Sequence, residues 1–468
     1  MGGASELWRA SAREIVDGIK ARSFSARDVV SSVIDRVDAL NDKVNALVSV
    51  QHEDALARAD ELDADLAAGK PVLPLQGVPI TTKINTDQRG VPTTNGVHFF
   101  ADRVPMDDDA CIANLRKAGA VIIGRSNAPA MSMRWTTEND IHGRTYNIWN
   151  RDVVPGGSSG GAAVAVATGM GPIAQGNDGG GSIRMPAFCA GVIGLRPTVG
   201  RVPAAAGDPN QPKAFGAGLI SAHGPIGRSA DDIRLMMKAL VTPTYRDPSH
   251  VPLPFDALQG RAPCRVAVAF DPTGNGTDAW TRAALDHAAS RLSDAGYDVV
   301  EATPPNYNDA VALWHALGSH ARSAMGPLIE KHGDEGARML NRYVQAWNTY
   351  EPSRFVAALD RRTLLQRQWD LFMQDYPLLL MPVLNSKPFA VGFDSTSQEA
   401  VIEMFGILAP MMPSSSLGLP AASVPTRLED GLPGGVQLLA TRWEEARILN
   451  AAEIIQGDFM TRPVDPAI

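Results

Sequence analysis

Apolar residues recur at helical spacing through the first 70 positions. In "SARDVVSSVIDRVDALN", Val29, Val33, Val37 and Leu40 fall on one face. Ser25, with Asp28 three residues on, has the form of a capping box. "VNALVSVQHEDALARADELDADLAAGK" predicts another amphipathic helix ending near Gly69. Then the texture changes. "LQGVPITTKIN" and "GAVIIGRSN" are short apolar runs between turn residues, the pattern of buried strands, and "DACIANLRKAG" between them is helical. "GGAAVAVATGMG" predicts a helix of small residues, suited to burial against other backbone. Residues 262–302 hold a strand–helix–strand unit in "CRVAVAF", "TRAALDHAASRLSDAG" and "YDVVEA". Residues 308–376 read as mostly helical and carry Trp314, Trp347 and Trp369. "YPLLLMPV" and "AASVPTRL", a turn at "EDGLPGG", "VQLLA" and the helical "WEEARILNAAEIIQ" complete the chain. This alternation predicts an α/β protein with helices covering a sheet. With no internal repeat and no long linker, one continuous domain is expected.

Composition narrows the function classes. The chain has 468 residues, 44% hydrophobic and 20% charged, which is ordinary globular usage and enough to bury a large core. A net charge of −8 argues against a nucleic-acid partner. No uninterrupted apolar run approaches the ~20 residues of a membrane span, and "MGGASELWRA" lacks a signal-type apolar core, so no membrane association is expected. Cys111, Cys189 and Cys264 are too few and too scattered for a disulfide framework or a zinc site. A reducing cytoplasm, with no metal and no cofactor, is the expected setting.

Two glycine–serine runs carry candidate chemistry: "PGGSSGG" at 155–161 and "GNDGGGSIRMP" at 176–186. Between Ser158 and Ser182 the pattern predicts a helix of about eleven residues, roughly 16 Å long, and an extended return of about five, roughly 17 Å. The lengths match, so both serines fall at one end of the sheet. A serine nucleophile needs a base. "GSSGG" formally fits a nucleophile elbow at Ser159, but that motif requires a strand immediately before it and a late histidine; Pro155 and two glycines precede it, and no histidine follows His332. Lys83, a charge ending the strand-like "GVPITTK", is another candidate base. Making its free amine common at pH 7 takes about 4.6 kcal/mol, within the reach of burial.

These residues resemble the amidase signature family. The similarity is dense from about residue 75 to 230, in "LQGVPITTK", "VPTTNGV", "AGAVIIGRSN", "PGGSSGG", "GGGSIRMPAFCAGVIGLRPTVGRVP" and "GPIGRSADD", and resumes at "GLPAASVP" and "DGLPGGVQLLA". The resemblance implies a single large domain with a central twisted mixed sheet covered by helices on both faces. Within residues 1–468 it implies an N-terminal helical segment (1–70), a catalytic core (75–230), a variable substrate-pocket segment (240–410) and a C-terminal return to the core (415–468). It further implies a Ser–cisSer–Lys triad: Ser182 as acylated nucleophile, Ser158 after a cis peptide as proton relay, Lys83 as base. The N–H groups of Gly179, Gly180, Gly181 and Ser182 would form the oxyanion hole, with Ser159, Asp178 and Arg184 holding the loops. Three positions depart from the family pattern: Asn177 where Thr is usual, Ile84 where Asp follows the lysine, and Ala130 where Glu is usual.

The resemblance implies a cofactor-free hydrolase that cleaves a small-molecule amide through an acyl-enzyme. Trp314, Met325, Trp347 and "PMMPSSSLG" lean the substrate toward an apolar or aryl amide. Ester or carbamate hydrolysis by the same triad is an alternative, as is an A-type amidotransferase subunit using glutamine in a tRNA-dependent complex. A homodimer is admitted but not indicated by any residue. Cys189, close to Ser182, is expected to be packed rather than reactive.

Overall fold

The apolar runs beyond residue 70 become ten strands of one eleven-stranded mixed sheet in the computed structural model, which describes residues 4–208, 210, 214–257 and 263–468. In chain order the strands are β1 (Leu47–Val50), β2 (Pro79–Lys83), β3 (Val121–Ser126), β4 (Ile173–Asp178), β5 (Ile193–Arg196), β6 (Ala222–Gly227), β7 (Arg265–Val268), β8 (Asp298–Glu301), β9 (Leu378–Pro382), β10 (Ala421–Glu429) and β11 (Leu432–Ala440). Across the sheet they lie β1-β3-β2-β4-β6-β5-β10-β11-β9-β7-β8. The β3-β2-β4 trio is parallel. The pairs from β4 to β9 are antiparallel, and β7 and β8 run parallel to β9.

Residue alternation shows that both faces are covered. In β9, Leu378 and Leu380 join one apolar core, with the N-terminal helices and the 160–168 helix; Leu379 and Met381 join another, with Trp314, Trp369 and Phe405. Side chains two apart share a face of a strand, so the two cores lie on opposite faces. Strands buried this way read as continuous apolar runs, which is why "YPLLLMPV" is recognisable as one.

The N-terminal 70 residues are not helical throughout. The expected capping box forms at Ser25 and Asp28, and the helix runs Ala26–Val44. It ends at Asn45 in the left-handed region (φ 48). Asn41 Oδ1 then accepts the N–H groups of Ala46 and Leu47 at 3.1 and 2.9 Å, and the chain turns into β1, antiparallel to β3. Only after that does the next helix, His52–Ala67, begin. The open edge of β3 supplies what helical periodicity hides: unpaired backbone groups that need a strand.

The small-residue helix, Gly160–Thr168, has all nine residues buried. It leads into β4 through Gly169 in the left-handed region (φ 86). Ser158 lies just before this helix and Ser182 just after β4, so the out-and-back path ends where the spacing predicted. One helical stretch, Gln398–Leu417, is long and apolar enough to span a membrane by composition, but 72% of it is buried inside the fold, and it is broken into short segments around Pro410 and Pro413.

Tight packing around the 160–168 helix makes a testable demand. Ala163 is fully buried. Ala163→Leu should destabilise the protein by roughly 1–3 kcal/mol through overpacking, whereas Ala67→Leu, exposed at the end of its helix, should stay within about 0.5 kcal/mol. Chemical denaturation of both variants measures the difference.

Candidate active site

Lys83 ends β2 between β3 and β4, and its side chain is fully buried. Its backbone N–H donates to Gln175 Oε1 at 3.0 Å. Its Nζ lies 2.7 Å from Ser158 Oγ and donates to Asn177 Oδ1 at 2.8 Å. No carboxylate forms an ion pair with it among the described residues. Burial therefore drives its pKa down to about 7, only partly opposed by the Asp178 charge. Gln175 and Asn177 are two apart on β4 and so share a face, the one toward Lys83. Asn177 is held in turn: its Nδ2 donates to Asn85 Oδ1 at 2.9 Å, and Asn85 Nδ2 donates to Ser132 Oγ at 2.8 Å. Asn177, a departure from the family pattern, thus supplies the lysine's second partner. The other two departures, Ile84 and Ala130, are buried apolar positions.

The Gly157–Ser158 peptide is cis. A Cβ on Gly157 would stand 2.2 Å from the carbonyl oxygen of Thr136, so only glycine allows this close approach. Ser159 joins the two serine loops: its N–H donates to the Ser182 carbonyl at 3.2 Å and its Oγ to the Asn177 carbonyl at 3.5 Å. Ser182 is partly exposed and lines the same cavity as Ser158. Among the described residues no hydrogen bond joins the two hydroxyls; the Lys83–Ser158 half of the expected relay is formed.

The glycine run is oriented by its carbonyls. The Asp178 carbonyl accepts from Arg196 Nη1 at 2.5 Å, the Gly179 carbonyl from Trp314 Nε1 at 2.6 Å, and the Gly180 carbonyl from Trp135 Nε1 at 3.1 Å. With these oxygens tied back, the N–H groups of Gly179, Gly180 and Ser182 have no acceptor among the described residues. The fourth expected donor differs: Gly181 N–H donates to Asp178 Oδ1 at 2.7 Å. Its φ of +109 lies in the region that favours glycine. The glycines also serve packing. A Cβ on Gly180 would meet the Trp314 ring at 2.5 Å, and one on Gly181 would meet Met411 at 2.6 Å.

Asp178 and Arg184 hold this loop from beneath, both fully buried. Arg184 Nε and Nη2 each donate to Asp178 at 2.9 Å. Burial alone would raise the carboxyl's pKa, but the Arg184 guanidinium outweighs it and holds Asp178 well below the ordinary carboxylate range. The remaining Arg184 donors reach the Met411 carbonyl, Ser414 Oγ, Ser415 Oγ and Gln437 Oε1 at 2.6–3.0 Å. "PMMPSSSLG", expected to shape the pocket, instead anchors Arg184. Sequence patterns do not reveal these anchors, nor the parts played by Trp135, Gln175 and Arg196. The one visible signal for Gln175 is a polar residue inside an otherwise apolar strand.

A cavity of about 790 Å³ opens over the loop, lined by Ser158, Asn177, Gly179, Gly180 and Ser182 on one side. Phe100, Met131, Trp135, Ile220, Trp314 and Met325 make much of the rest. Trp314 and Met325 thus line the cavity as expected. Trp347 does not, and stacks edge-on against His315 and Phe405. Cys189 is buried and its thiol is pushed up by burial, in keeping with a packing role. At the cavity wall, which includes Asp109 and His223, the residues Asp109, Cys111 and His223 place potential ligand atoms within 4.8 Å of one another. Burial and the neighbouring Asp109 push the Cys111 thiol well above its ordinary value.

Known proteins resemble the chain over nearly its whole length. The amidase family model matches residues 28–449. An indoleacetamide hydrolase of Bradyrhizobium diazoefficiens is 37% identical, over 96% of this chain and 87% of its own length. The A subunit of the glutamyl-tRNA(Gln) amidotransferase of Geobacillus kaustophilus is 31% identical, over 96% of this chain and 97% of its own length. The crystal structure of a bacterial aryl acylamidase of the amidase signature family superposes with a TM-score of 0.84 at 26% identity, covering 97% of this chain and 96% of that one. With the family model matching residues 28–449 and relatives matching over nearly the whole length, the chain belongs to the amidase family.

Proposed function

We propose that this amide hydrolase cleaves the carbon–nitrogen bond of a small apolar or aryl amide through an acyl-enzyme on Ser182. The carrying observation is a fully buried lysine amine 2.7 Å from Ser158 Oγ, on the cavity that Ser182 also lines. As a free amine Lys83 donates to Asn177 Oδ1 and turns its lone pair to the Ser158 hydroxyl. Ser158 passes its proton to Lys83 and takes the proton of Ser182, whose oxygen attacks the substrate carbonyl. The N–H groups of Gly179, Gly180 and Ser182 stabilise the resulting oxyanion. As the intermediate collapses, Ser158 gives a proton to the leaving nitrogen and recovers one from Lys83. Water then hydrolyses the acyl-Ser182 ester by the same relay, returning free Ser182 and a carboxylic acid.

The aromatic and methionine lining favours an apolar body on the acyl or amine side. The similarity to an indoleacetamide hydrolase and an aryl acylamidase points the same way. The amidotransferase reading shares every catalytic residue; turnover of a small amide by the chain alone separates the two. Unpaired cysteines are in keeping with a reducing cytoplasm.

Ser182→Ala should keep the fold, measured by its melting temperature, and lose roughly 10⁴-fold or more of kcat on an aryl amide; full activity in that variant would overturn the assignment. Because burial lowers the Lys83 pKa to about 7, the amine is protonated and idle below that pH. kcat/KM should climb through pH 7 and level off above it, and a profile flat from pH 6 to 9 removes Lys83 as the base. Trp314→Phe keeps an aromatic ring and deletes the donor to the Gly179 carbonyl. It should lower kcat about tenfold, with a smaller change in KM, since the loss falls on an oriented dipole of the oxyanion site.

A further inference from the structure

The helix Tyr307–His332 forms one wall of the cavity and carries Trp314, whose indole fixes the Gly179 carbonyl. Eight residues further on, roughly 12 Å along the axis, stands Arg322. It also lines the cavity and is only 7% exposed. Its surroundings set it apart from the other buried arginines. Arg125, Arg134, Arg184, Arg196, Arg201 and Arg228 each donate at least one hydrogen bond within the protein. Among the described residues Arg322 makes no hydrogen bond and no ion pair. The acidic groups of the cavity wall are engaged elsewhere: Asp87 with Arg103, Asp178 with Arg184, and Asp109 as the cap of the 110–117 helix. The neighbouring His315 does not compensate either; burial and the Arg322 charge push its imidazole down to about 3, so it stays neutral.

A guanidinium out of bulk water has five donors to satisfy and a charge to balance. The described residues supply neither, and its nitrogens are not sealed from the cavity, so donors and charge are left to what fills the cavity, water or an anion. We infer that Arg322 is the anion-recognising end of the substrate site, and that the preferred substrates are amides whose apolar body carries a carboxylate at the end remote from the scissile bond. This rests on the amide-hydrolase reading above and adds a substrate class to it. A carboxylate fits better than a neutral carbonyl because it matches the guanidinium fork with two acceptors and supplies the missing charge. The spacing along the helix puts the anion about two turns from the residue that fixes the oxyanion loop. The body between them meets the apolar lining of the cavity, Trp135 and Met325 included.

The test is a matched series of primary amides of about six to ten carbons, each chain ending in a carboxylate or in a methyl group. For the wild-type chain, kcat/KM on the carboxylate member should exceed that on its methyl partner at least about tenfold at the best length. Arg322→Met should bring the ratio to one or below, and Arg322→Lys should restore part of it. A ratio of one or less at every length in the wild type, or a preference that survives Arg322→Met, overturns the inference. Binding read without turnover guards against a lost fold: Ser182→Ala should gain more thermal stability from the carboxylate amide than from the methyl amide, and Ser182→Ala with Arg322→Lys should gain less. If the amides bind in that Arg322-dependent order but none is hydrolysed, the catalytic reading falls while the anion site stands. If methyl amides are hydrolysed through Ser182 with no carboxylate preference, the reverse holds.

Discussion

The ion pair of Asp178 and Arg184 is the constraint on which the site depends. Taking two charges fully out of water costs several kcal/mol per ion, and the pair is tolerable only if its remaining donors and acceptors are met. Here they are. Asp178 takes the N–H groups of Gly181 and Ile183 besides the guanidinium, and Arg184 spends its other donors on residues 411–437. The Ser182 loop is therefore a fixed structure bolted to the far half of the sheet. That rigidity lets unpaired N–H groups persist beside Ser182 with nothing in the protein to turn toward.

Lys83 is handled in the opposite way. It is as buried as Arg184, yet its partners are an amide oxygen and a hydroxyl, not a carboxylate. An ion pair would hold the amine charged; neutral acceptors let desolvation lower its pKa into the working range. The two buried cations differ in what surrounds them, and that difference separates a structural bolt from the proposed base.

Much of this is legible in residue patterns. Short apolar runs between turn residues predict the strands, and the match between helix length and strand length brings Ser158 and Ser182 to one end of the sheet. A charge at the end of "GVPITTK" marks Lys83. What escapes is contact between distant segments. Nothing in "PMMPSSSLG" says that its hydroxyls and a carbonyl meet Arg184, because that meeting depends on how β10 and β11 insert beside β5. The brief β1 is hidden for the same reason: a strand at an edge is dictated by the strand it joins. The Gly181 N–H looks like a fourth oxyanion donor in sequence, yet backbone orientation within a glycine run is decided by its polar partners, and two of these are indoles far away in the chain.

The order of strands across the sheet has a consequence for biosynthesis. Lys83, Ser158 and Ser182 all emerge from the ribosome in the first half of translation. The partners that take the donors Asp178 leaves to Arg184 come from residues 411 to 437, and β10 and β11 sit in the interior of the sheet, between β5 and β9. A nascent chain holding all three of these side chains therefore lacks the fixed Ser182 loop until nearly all of it has been made. Such non-local closure is slow compared with helix formation, so the Ser182 loop is fixed only after the late strands have inserted.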